Sequence, residues 1–200
     1  MNIEIRKLTP ALAEDYVTFF DTTPHNERYK MKCYCVYWCN EDSKDEHFYS
    51  KKARREYALH CVKENIIKGY LAYCDDKVVG WCNANTKADC LKSKGWRGSN
   101  GPRKGFRPTE ETTPEIKAKS VFCFAIAPKM RRQGVATQLL ARVCQDAAED
   151  GFDFVEAYPE KEITDKSENC VGYADMYKKM GFIVYCEMKK NFIMRKQLKT

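Results

Sequence analysis

The residues best suited to chemistry in this sequence form the segment 131–136, Arg-Arg-Gln-Gly-Val-Ala, which follows the apolar run 121–127. A helix that begins at Gly134 would offer backbone N–H groups without intrahelical partners and a partial positive charge. Gly134 and the small Ala136 would let an anion approach the backbone, and the two arginines add charge-assisted donors. The segment therefore predicts a pyrophosphate site. It is neither a P-loop nor a dinucleotide fingerprint, because both glycine patterns are missing.

Hydrophobic periodicity predicts the elements that must position this segment. Residues 121–127 are apolar throughout, as in a strand buried on both faces, and apolar residues from Val135 to Ala147 recur at helical spacing. Helices are predicted after Thr9-Pro10 and at about 42–68, 134–150 and 171–180. Strands are predicted at 2–6, 70–74, 78–84, 121–127, 153–158, 183–188 and 192–195. This order favours a mixed α/β or α+β fold with one sheet covered by helices.

Length and composition predict a single domain that spans residues 1–200. With 44% hydrophobic and 12% aromatic residues, the chain is too apolar for a disordered protein. Because no apolar run approaches about 18 residues, no membrane span is expected. The first ten residues lack the apolar core of a signal peptide, so we expect a cytoplasmic location.

Eleven cysteines are many for 200 residues. Their odd number and their scatter through apolar segments predict reduced, buried thiols. Cys33, Cys35 and Cys39 form the densest cluster, but this cluster lacks the paired Cys-x2-4-Cys modules of a zinc site. We therefore predict no metal, and the role of these three thiols stays open.

Two motifs together resemble a known superfamily. Arg131-x-x-Gly134-x-Ala136 after an apolar strand resembles the R/Q-x-x-G-x-G/A signature for acetyl-CoA in GNAT N-acetyltransferases. Downstream, Tyr177-x-x-x-Gly181-Phe182 resembles the Y-x-x-x-G-F element of the same superfamily. The resemblance extends over about residues 2–196. It implies an α+β fold with a single mixed, mostly antiparallel sheet of six to seven strands, splayed at the centre, with helices on both faces.

The resemblance also implies where acetyl-CoA would bind. Backbone groups of Phe124, Ala125 and Ile126 would pair with the pantetheine arm where the central strands splay. Relatives often carry an Asn seven residues before the Tyr of the last helix, but here Cys170 occupies that place and Asn169 lies one residue earlier. The pyrophosphate would be held by Arg131, Arg132 and the backbone N–H groups of Gln133, Gly134, Val135, Ala136 and Thr137.

Acetyl transfer to an amine requires an acid for the departing thiolate and a base for the amine proton. The resemblance assigns the acid role to Tyr177. Many relatives place a base Glu at the start of the strand before the signature, where this chain has Ser120. We therefore predict Glu156, on the following strand, as the substitute base. Transfer would be direct, through a ternary complex, with no cysteine as acyl carrier.

In this superfamily, the region that here spans residues 25–68 walls the acceptor site. Aromatic faces there would suit a cationic or amphipathic amine, although they could equally roof the core. Candidate acceptors are an aminoglycoside-like drug, a polyamine or an amino-acid derivative, and protein amino groups stay open. The candidate acceptor-binding residues are Tyr34, Tyr37, Trp38, Trp81 and Asn83.

Residues 85–119 are predicted to form a long connection whose part from Lys92 to Arg107 is basic and contains no acid. It would be a solvated loop, or it would bind CoA phosphates, an acidic acceptor or nucleic acid. A single basic loop is weak evidence for nucleic acid, so a nucleic-acid partner is not favoured. Two other functions stay open, a non-catalytic acyl-CoA sensor and a protein- or RNA-associated acetyltransferase. A homodimer formed through edge strands stays open as well.

Overall fold

The computed structural model describes residues 2–23, 32–38, 45–93, 115–162 and 169–199. Helices α1 to α5 comprise Ala13–Thr22, Lys51–Lys63, Lys87–Lys92, Val135–Glu149 and Ala174–Lys179. Strands β1 to β7 comprise Glu4–Lys7, Gly69–Cys74, Lys77–Thr86, Ala118–Ile126, Phe154–Ala157, Ile183–Glu187 and Phe192–Gln197. No helix within these described ranges is long and apolar enough to cross a membrane.

The described strands form one seven-stranded sheet in the order β1-β2-β3-β4-β5-β7-β6. β4 and β5 pair in parallel, whereas the other neighbours pair antiparallel. β1 and β6 are the edges, and β6 exposes Ile183, Val184 and Tyr185. The homodimer through edge strands stays a prediction.

The sheet is covered on both faces because its strands alternate between two cores. On β2, Leu71 and Tyr73 join the core beneath α1 and α2, whereas Tyr70 and Ala72 join the core beneath α4. Leu139, Leu140 and Val143 of α4 are fully buried in the second core. Each such aliphatic side chain stabilises the fold by about 1.5–3 kcal/mol relative to an exposed one. The predicted two-faced arrangement is confirmed.

Two boundaries differ from the sequence prediction. The helix expected at 42–68 is α2, which begins at Lys51 because the Ser50 side chain accepts a hydrogen bond from the Ala53 N–H (3.0 Å). The predicted connection 85–119 starts inside β3 and continues into α3, and residues 94–114, which include most of its basic part Lys92–Arg107, lie outside the described residues. Between the predicted strands 70–74 and 78–84, Asp75 and Asp76 have φ values of 48° and 58°, which suit a tight hairpin turn.

Candidate active site

The central opening of the sheet lies between β4 and β5. Their pairing ends where Val121 faces Ala157, but β4 continues to Ile126. Beyond that point, the Phe124 N–H donates to the carbonyl oxygen of Cys170 (2.6 Å). The segment 169–172 therefore lies against the splayed part of β4. A ligand that pairs with the Phe124 N–H must displace the Cys170 carbonyl. Ala125 and Ile126 pair with β3, opposite Trp81 and Gly80.

The turn before α4 leaves the start of that helix open and uncapped. Gly134 has a φ of 81°, and a Cβ added there would meet no atom within 4 Å, so the helix start is open to solvent. No side chain caps α4, and its first turn contains no acidic residue. Arg131, Arg132 and Gln133 are exposed, and the Arg131 Nε donates to the Ile126 carbonyl oxygen (3.2 Å). Of the three residues that follow, Val135 is buried, Ala136 half-buried and Thr137 exposed. This open, uncapped, basic helix start fits the pyrophosphate of acetyl-CoA.

Tyr177 is fully buried on α5, and its hydroxyl donates to the Val171 carbonyl oxygen (2.7 Å). Val171 follows Cys170, so this hydroxyl lies beneath the segment that closes on Phe124. Asn169 shapes that segment, since its side chain accepts from the Val171 N–H (3.0 Å) and donates to the Gly172 carbonyl oxygen (3.1 Å). Contact of Asn169 with the cofactor stays a prediction, as does the acid role of Tyr177.

The Tyr177-x-x-x-Gly181-Phe182 element has a local structural explanation. The Phe182 N–H donates to the Tyr177 carbonyl oxygen and the Gly181 N–H to that of Lys178, both at 3.0 Å. With Gly181 at a φ of 84°, this is a Schellman motif. The Phe182 ring then packs on the Tyr177 ring, with centroids 5.2 Å apart. The motif therefore ends α5 and fixes the Tyr177 ring.

Glu156 is fully buried and bound by cations from two other elements. Its Oε1 lies 2.9 Å from the Lys87 Nζ, and its Oε2 accepts from the Arg195 Nε (2.7 Å). The guanidinium of Arg195 also stacks between the rings of Phe154 (4.0 Å) and Tyr185 (3.6 Å). Because a buried carboxylate needs such partners, the two cations hold Glu156 in the sheet.

A chain of hydroxyl groups connects Glu156 to β4. The Tyr158 hydroxyl donates to the Glu156 Oε1 (2.7 Å), and burial together with this carboxylate holds the pKa of Tyr158 well above its usual value. The Ser120 Oγ lies 2.7 Å from the same hydroxyl. Since Tyr158 has one proton and gives it to Glu156, Ser120 is the donor in that contact. Ser120, which stands where relatives have a base Glu, is thus joined to Glu156. The base role of Glu156 stays a prediction.

The predicted acceptor residues do not share one environment. Tyr34 and Trp81 are fully buried in the core beneath α1 and α2, where the Tyr34 hydroxyl donates to the Asp21 Oδ1 (2.5 Å). The Trp81 Nε1 has no hydrogen-bond partner in the part of the chain that the structure describes. Tyr37 is half-buried and stacks on Phe48, with centroids 4.6 Å apart. The Trp38 side chain lies outside the described residues.

Asn83, the remaining predicted acceptor residue, marks a cluster that sequence reasoning missed. Its Nδ2 donates to the Cys35 Sγ (3.3 Å). Cys123 pairs with Asn83 across β3 and β4 and precedes Phe124, whose N–H donates to the Cys170 carbonyl oxygen. The nearby thiols of Cys170 and Cys35, together with burial, raise the pKa of Cys123 well above its usual value. Three separate segments therefore bring thiols together beside the splayed part of β4. Among the described residues, no three or more His, Cys, Asp or Glu side chains are grouped so that they could hold a metal ion.

Comparison with known proteins places this chain in a family. The family model for the acetyltransferase (GNAT) family matches residues 27–182. A GNAT acetyltransferase from Streptococcus pneumoniae has a TM-score of 0.55 at 12% identity, covering 99% of this chain and 100% of that chain. The PaiA N-acetyltransferase from Thermoplasma acidophilum, in complex with coenzyme A, has a TM-score of 0.55 at 17% identity, covering 98% and 99%. A ribosomal-protein-alanine N-acetyltransferase from Brucella melitensis has a TM-score of 0.53 at 15% identity, covering 98% and 99%. No curated protein matches the sequence significantly.

The chain belongs to the GNAT family of acetyltransferases, because the family model matches most of its length. At these identities, the solved structures establish the fold. The resemblance inferred from the two sequence motifs is confirmed, and so is the mixed, mostly antiparallel α+β sheet. Acetyl-CoA is the cofactor of this family.

Proposed function

We propose that the protein transfers the acetyl group of acetyl-CoA to a primary amine of a small molecule by direct attack in a ternary complex. The observation that carries the proposal is the continuity of three features along the chain. The splayed part of β4 leads directly into the open, basic start of α4. Tyr177 lies close to the same splay, because its hydroxyl donates to the Val171 carbonyl oxygen and the preceding residue, Cys170, accepts from the Phe124 N–H of β4. This arrangement suits one extended ligand with an anionic end and a reactive end.

Binding of acetyl-CoA supplies an activated acetyl thioester. The backbone N–H groups at the start of α4, with Arg131 and Arg132, would hold its pyrophosphate. The N–H of Phe124 would pair with its pantetheine arm once the Cys170 carbonyl moves aside. Asn169 would act at the same place by holding the segment that must move.

Proton movement would use two groups on opposite sides of the splay. The Tyr177 hydroxyl carries a proton that it can give to a sulfur leaving group. On the other side, Ser120 can accept a proton at Oγ while its own proton passes to Tyr158 and that of Tyr158 to Glu156. Glu156 thus serves as the terminal base without contacting the amine itself.

The acceptor would be a small amine because the half-buried ring of Tyr37, which stacks on Phe48, suits a cationic or amphipathic amine. The Brucella neighbour acts on a protein amino group, so a peptide amine is the competing acceptor. A non-catalytic acyl-CoA sensor is the competing class, and the saturated hydrogen bonding of the buried Glu156 carboxylate favours it.

Replacement of Tyr177 by Phe separates enzyme from sensor. Polyamines, aminoglycosides, amino-acid derivatives and peptides with free N-termini would be incubated with acetyl-CoA, and the acetylated amine quantified by chromatography. With the best amine, we expect Tyr177→Phe to lower kcat by about 100-fold or more, the range of general acid catalysis, without changing acetyl-CoA affinity.

The matched control is Tyr70→Phe. Tyr70 is a buried tyrosine in the same core, and its hydroxyl donates to Asp146 (2.9 Å). The Tyr70→Phe variant should keep the wild-type kcat. Acetyl-CoA binding without turnover of any amine would support the sensor instead of the enzyme. Turnover of peptides alone would support a protein acceptor instead of a small molecule.

A further inference from the structure

The thiols of Cys35, Cys123 and Cys170 meet beside the splayed part of β4, in a cluster that acetyl transfer does not use. Cys123 is on β4, Cys35 is in the turn before α2, and Cys170 is in the segment that closes on Phe124. Cys35 and Cys123 are buried, whereas Cys170 is exposed. A reagent in solution therefore reaches Cys170 first.

We propose that Cys170 and Cys123 form a peroxide-sensitive thiol pair that closes to a disulfide. A hydroperoxide oxidises the Cys170 thiol to a sulfenic acid and leaves as an alcohol, or as water when the oxidant is hydrogen peroxide. The Cys123 sulfur then attacks the Cys170 sulfur, the S–O bond breaks, and the Cys123 proton leaves with the hydroxyl group as water. The two electrons lost by the thiols reduce the peroxide O–O bond.

The structure favours the Cys170–Cys123 pair over a Cys35–Cys123 pair. The neighbouring thiols of Cys170 and Cys35, together with burial, raise the pKa of Cys123 well above its usual value, so Cys123 is a poor first target. Cys123 nevertheless lies next to Phe124, whose N–H donates to the Cys170 carbonyl oxygen, so it is near enough to resolve an oxidised sulfur at Cys170. Cys35 also lies near Cys123, because it accepts a hydrogen bond from Asn83, the β3 partner of Cys123. Both thiols are buried, however, and lack the access that the first step requires.

The backbone already holds Cys170 in place for this reaction. Its carbonyl oxygen accepts the Phe124 N–H (2.6 Å), and the Asn169 side chain and the Tyr177 hydroxyl hold the residues on either side. A disulfide to Cys123 would lock this arrangement. The oxidised protein could then not release the Phe124 N–H to pair with the pantetheine arm. This consequence rests on the proposed function.

Peptide mapping tests the pair directly. The folded full-length protein is treated with graded hydrogen peroxide, remaining thiols are blocked with N-ethylmaleimide, and the digest is analysed by mass spectrometry without reduction. We expect a cross-link between the peptides of Cys123 and Cys170, removed by dithiothreitol. It should be absent from Cys170→Ser and Cys123→Ser and present in the control Cys74→Ser, which removes a half-buried thiol at the end of β2. A dominant link from Cys123 to Cys35, or Cys170 oxidised only to sulfinic acid, would overturn the proposal.

A second measurement tests the consequence. The rise in Tm caused by acetyl-CoA is recorded for the reduced, oxidised and re-reduced protein. We expect the rise to be lost on oxidation, restored by dithiothreitol and kept in oxidised Cys170→Ser, whose substitution is at an exposed position. An oxidised, cross-linked protein that still responds would refute the gating. Absence of a rise in the reduced protein would instead refute the proposed function, while the cross-link would stand or fall by its own assay.

Discussion

Glu156 lies fully buried on β5 and contacts cations from two distant parts of the chain, Lys87 on α3 and Arg195 on β7. The sequence singled it out as the acid on the strand after Ser120, which stands where many relatives have a base Glu. Its partners were beyond sequence reasoning because Lys87 fell in a predicted loop and Arg195 in a hairpin strand. Contacts between residues so far apart arise from strand order, which no local pattern contains. For the same reason, the meeting of Cys35, Cys123 and Cys170 was not predicted.

Replacement of Glu156 by Gln should lower the free energy of unfolding by about 3–5 kcal/mol, because Lys87 and Arg195 would be left as buried cations without their carboxylate. Chemical denaturation measures this loss. The control is Asp175→Asn, whose side chain is 86% exposed beside Lys178 and should cost no more than about 1 kcal/mol. Equal losses in the two variants would show that the Glu156 cluster does not hold the sheet together.

Replacement of Tyr158 by Phe should break the path from Ser120 to Glu156 and lower kcat, with acetyl-CoA affinity unchanged. The pH profile should change as well, because the terminal base would no longer be connected to β4. Tyr73→Phe is the matched control, since the Tyr73 hydroxyl also donates to a carboxylate, that of Asp15 (2.7 Å), but on β2. If both variants keep wild-type kcat and pH profile, the path carries no proton.

The turn into α4 and the end of α5 are the two elements that sequence reasoning predicted best. Gly134 and Gly181 each adopt a positive φ at a helix boundary, and such boundaries depend on a few adjacent residues. α3 was missed because its six residues, Lys87–Lys92, are too few to show helical periodicity. The predicted start of α2, at about residue 42, was wrong because the helix begins after its cap at Ser50.

Gly172→Ala should disturb the segment over Tyr177 more than Gly181→Ala disturbs the end of α5. Both glycines have a φ of at least 80°, so each substitution costs about 1–2 kcal/mol of backbone strain. At Gly172, however, the new Cβ would lie 2.9 Å from the Met176 Cε and 3.2 Å from the Tyr177 hydroxyl, whereas at Gly181 the nearest atom is 3.9 Å away. Denaturation curves should therefore show a larger loss for Gly172→Ala, and the reverse order would contradict this packing.

At the scale of the whole molecule, the two cores hold α1 and α2 on one face of the sheet and α4 on the other. The order of elements and the two-faced cover were predictable, because both follow from alternation of apolar residues along strands and from helical periodicity. The splay of β4 from β5 was expected from the family resemblance alone. It depends on where pairing stops, and no residue pattern in β4 marks that point.

Acid should weaken the packing of α1 on α2. Burial alone would raise the pKa of the Asp21 carboxylate, on α1. The hydrogen bonds from Arg55 and Tyr34 outweigh this effect and keep that pKa below its usual value. A lowered pKa in the folded state means that this stabilisation is complete above about pH 4 and is lost as the pH falls through the folded pKa. Denaturation measured from pH 6 downwards should show a smaller loss of stability for Asp21→Asn than for the wild type. Parallel curves would contradict this role of Asp21.

The most direct test of the central claim, that the start of α4 binds acetyl-CoA, is calorimetric titration of acetyl-CoA into three proteins. These are the wild type, Gly134→Ala and Gly151→Ala. Gly134 and Gly151 lie at opposite ends of α4, with φ values of 81° and 74° and no atom within 4 Å of an added Cβ, so both variants carry the same strain. We predict that the wild type and Gly151→Ala bind alike and that Gly134→Ala binds at least about tenfold more weakly, a difference of about 1.4 kcal/mol. Equal binding by the two variants, or no binding by the wild type, would contradict the claim.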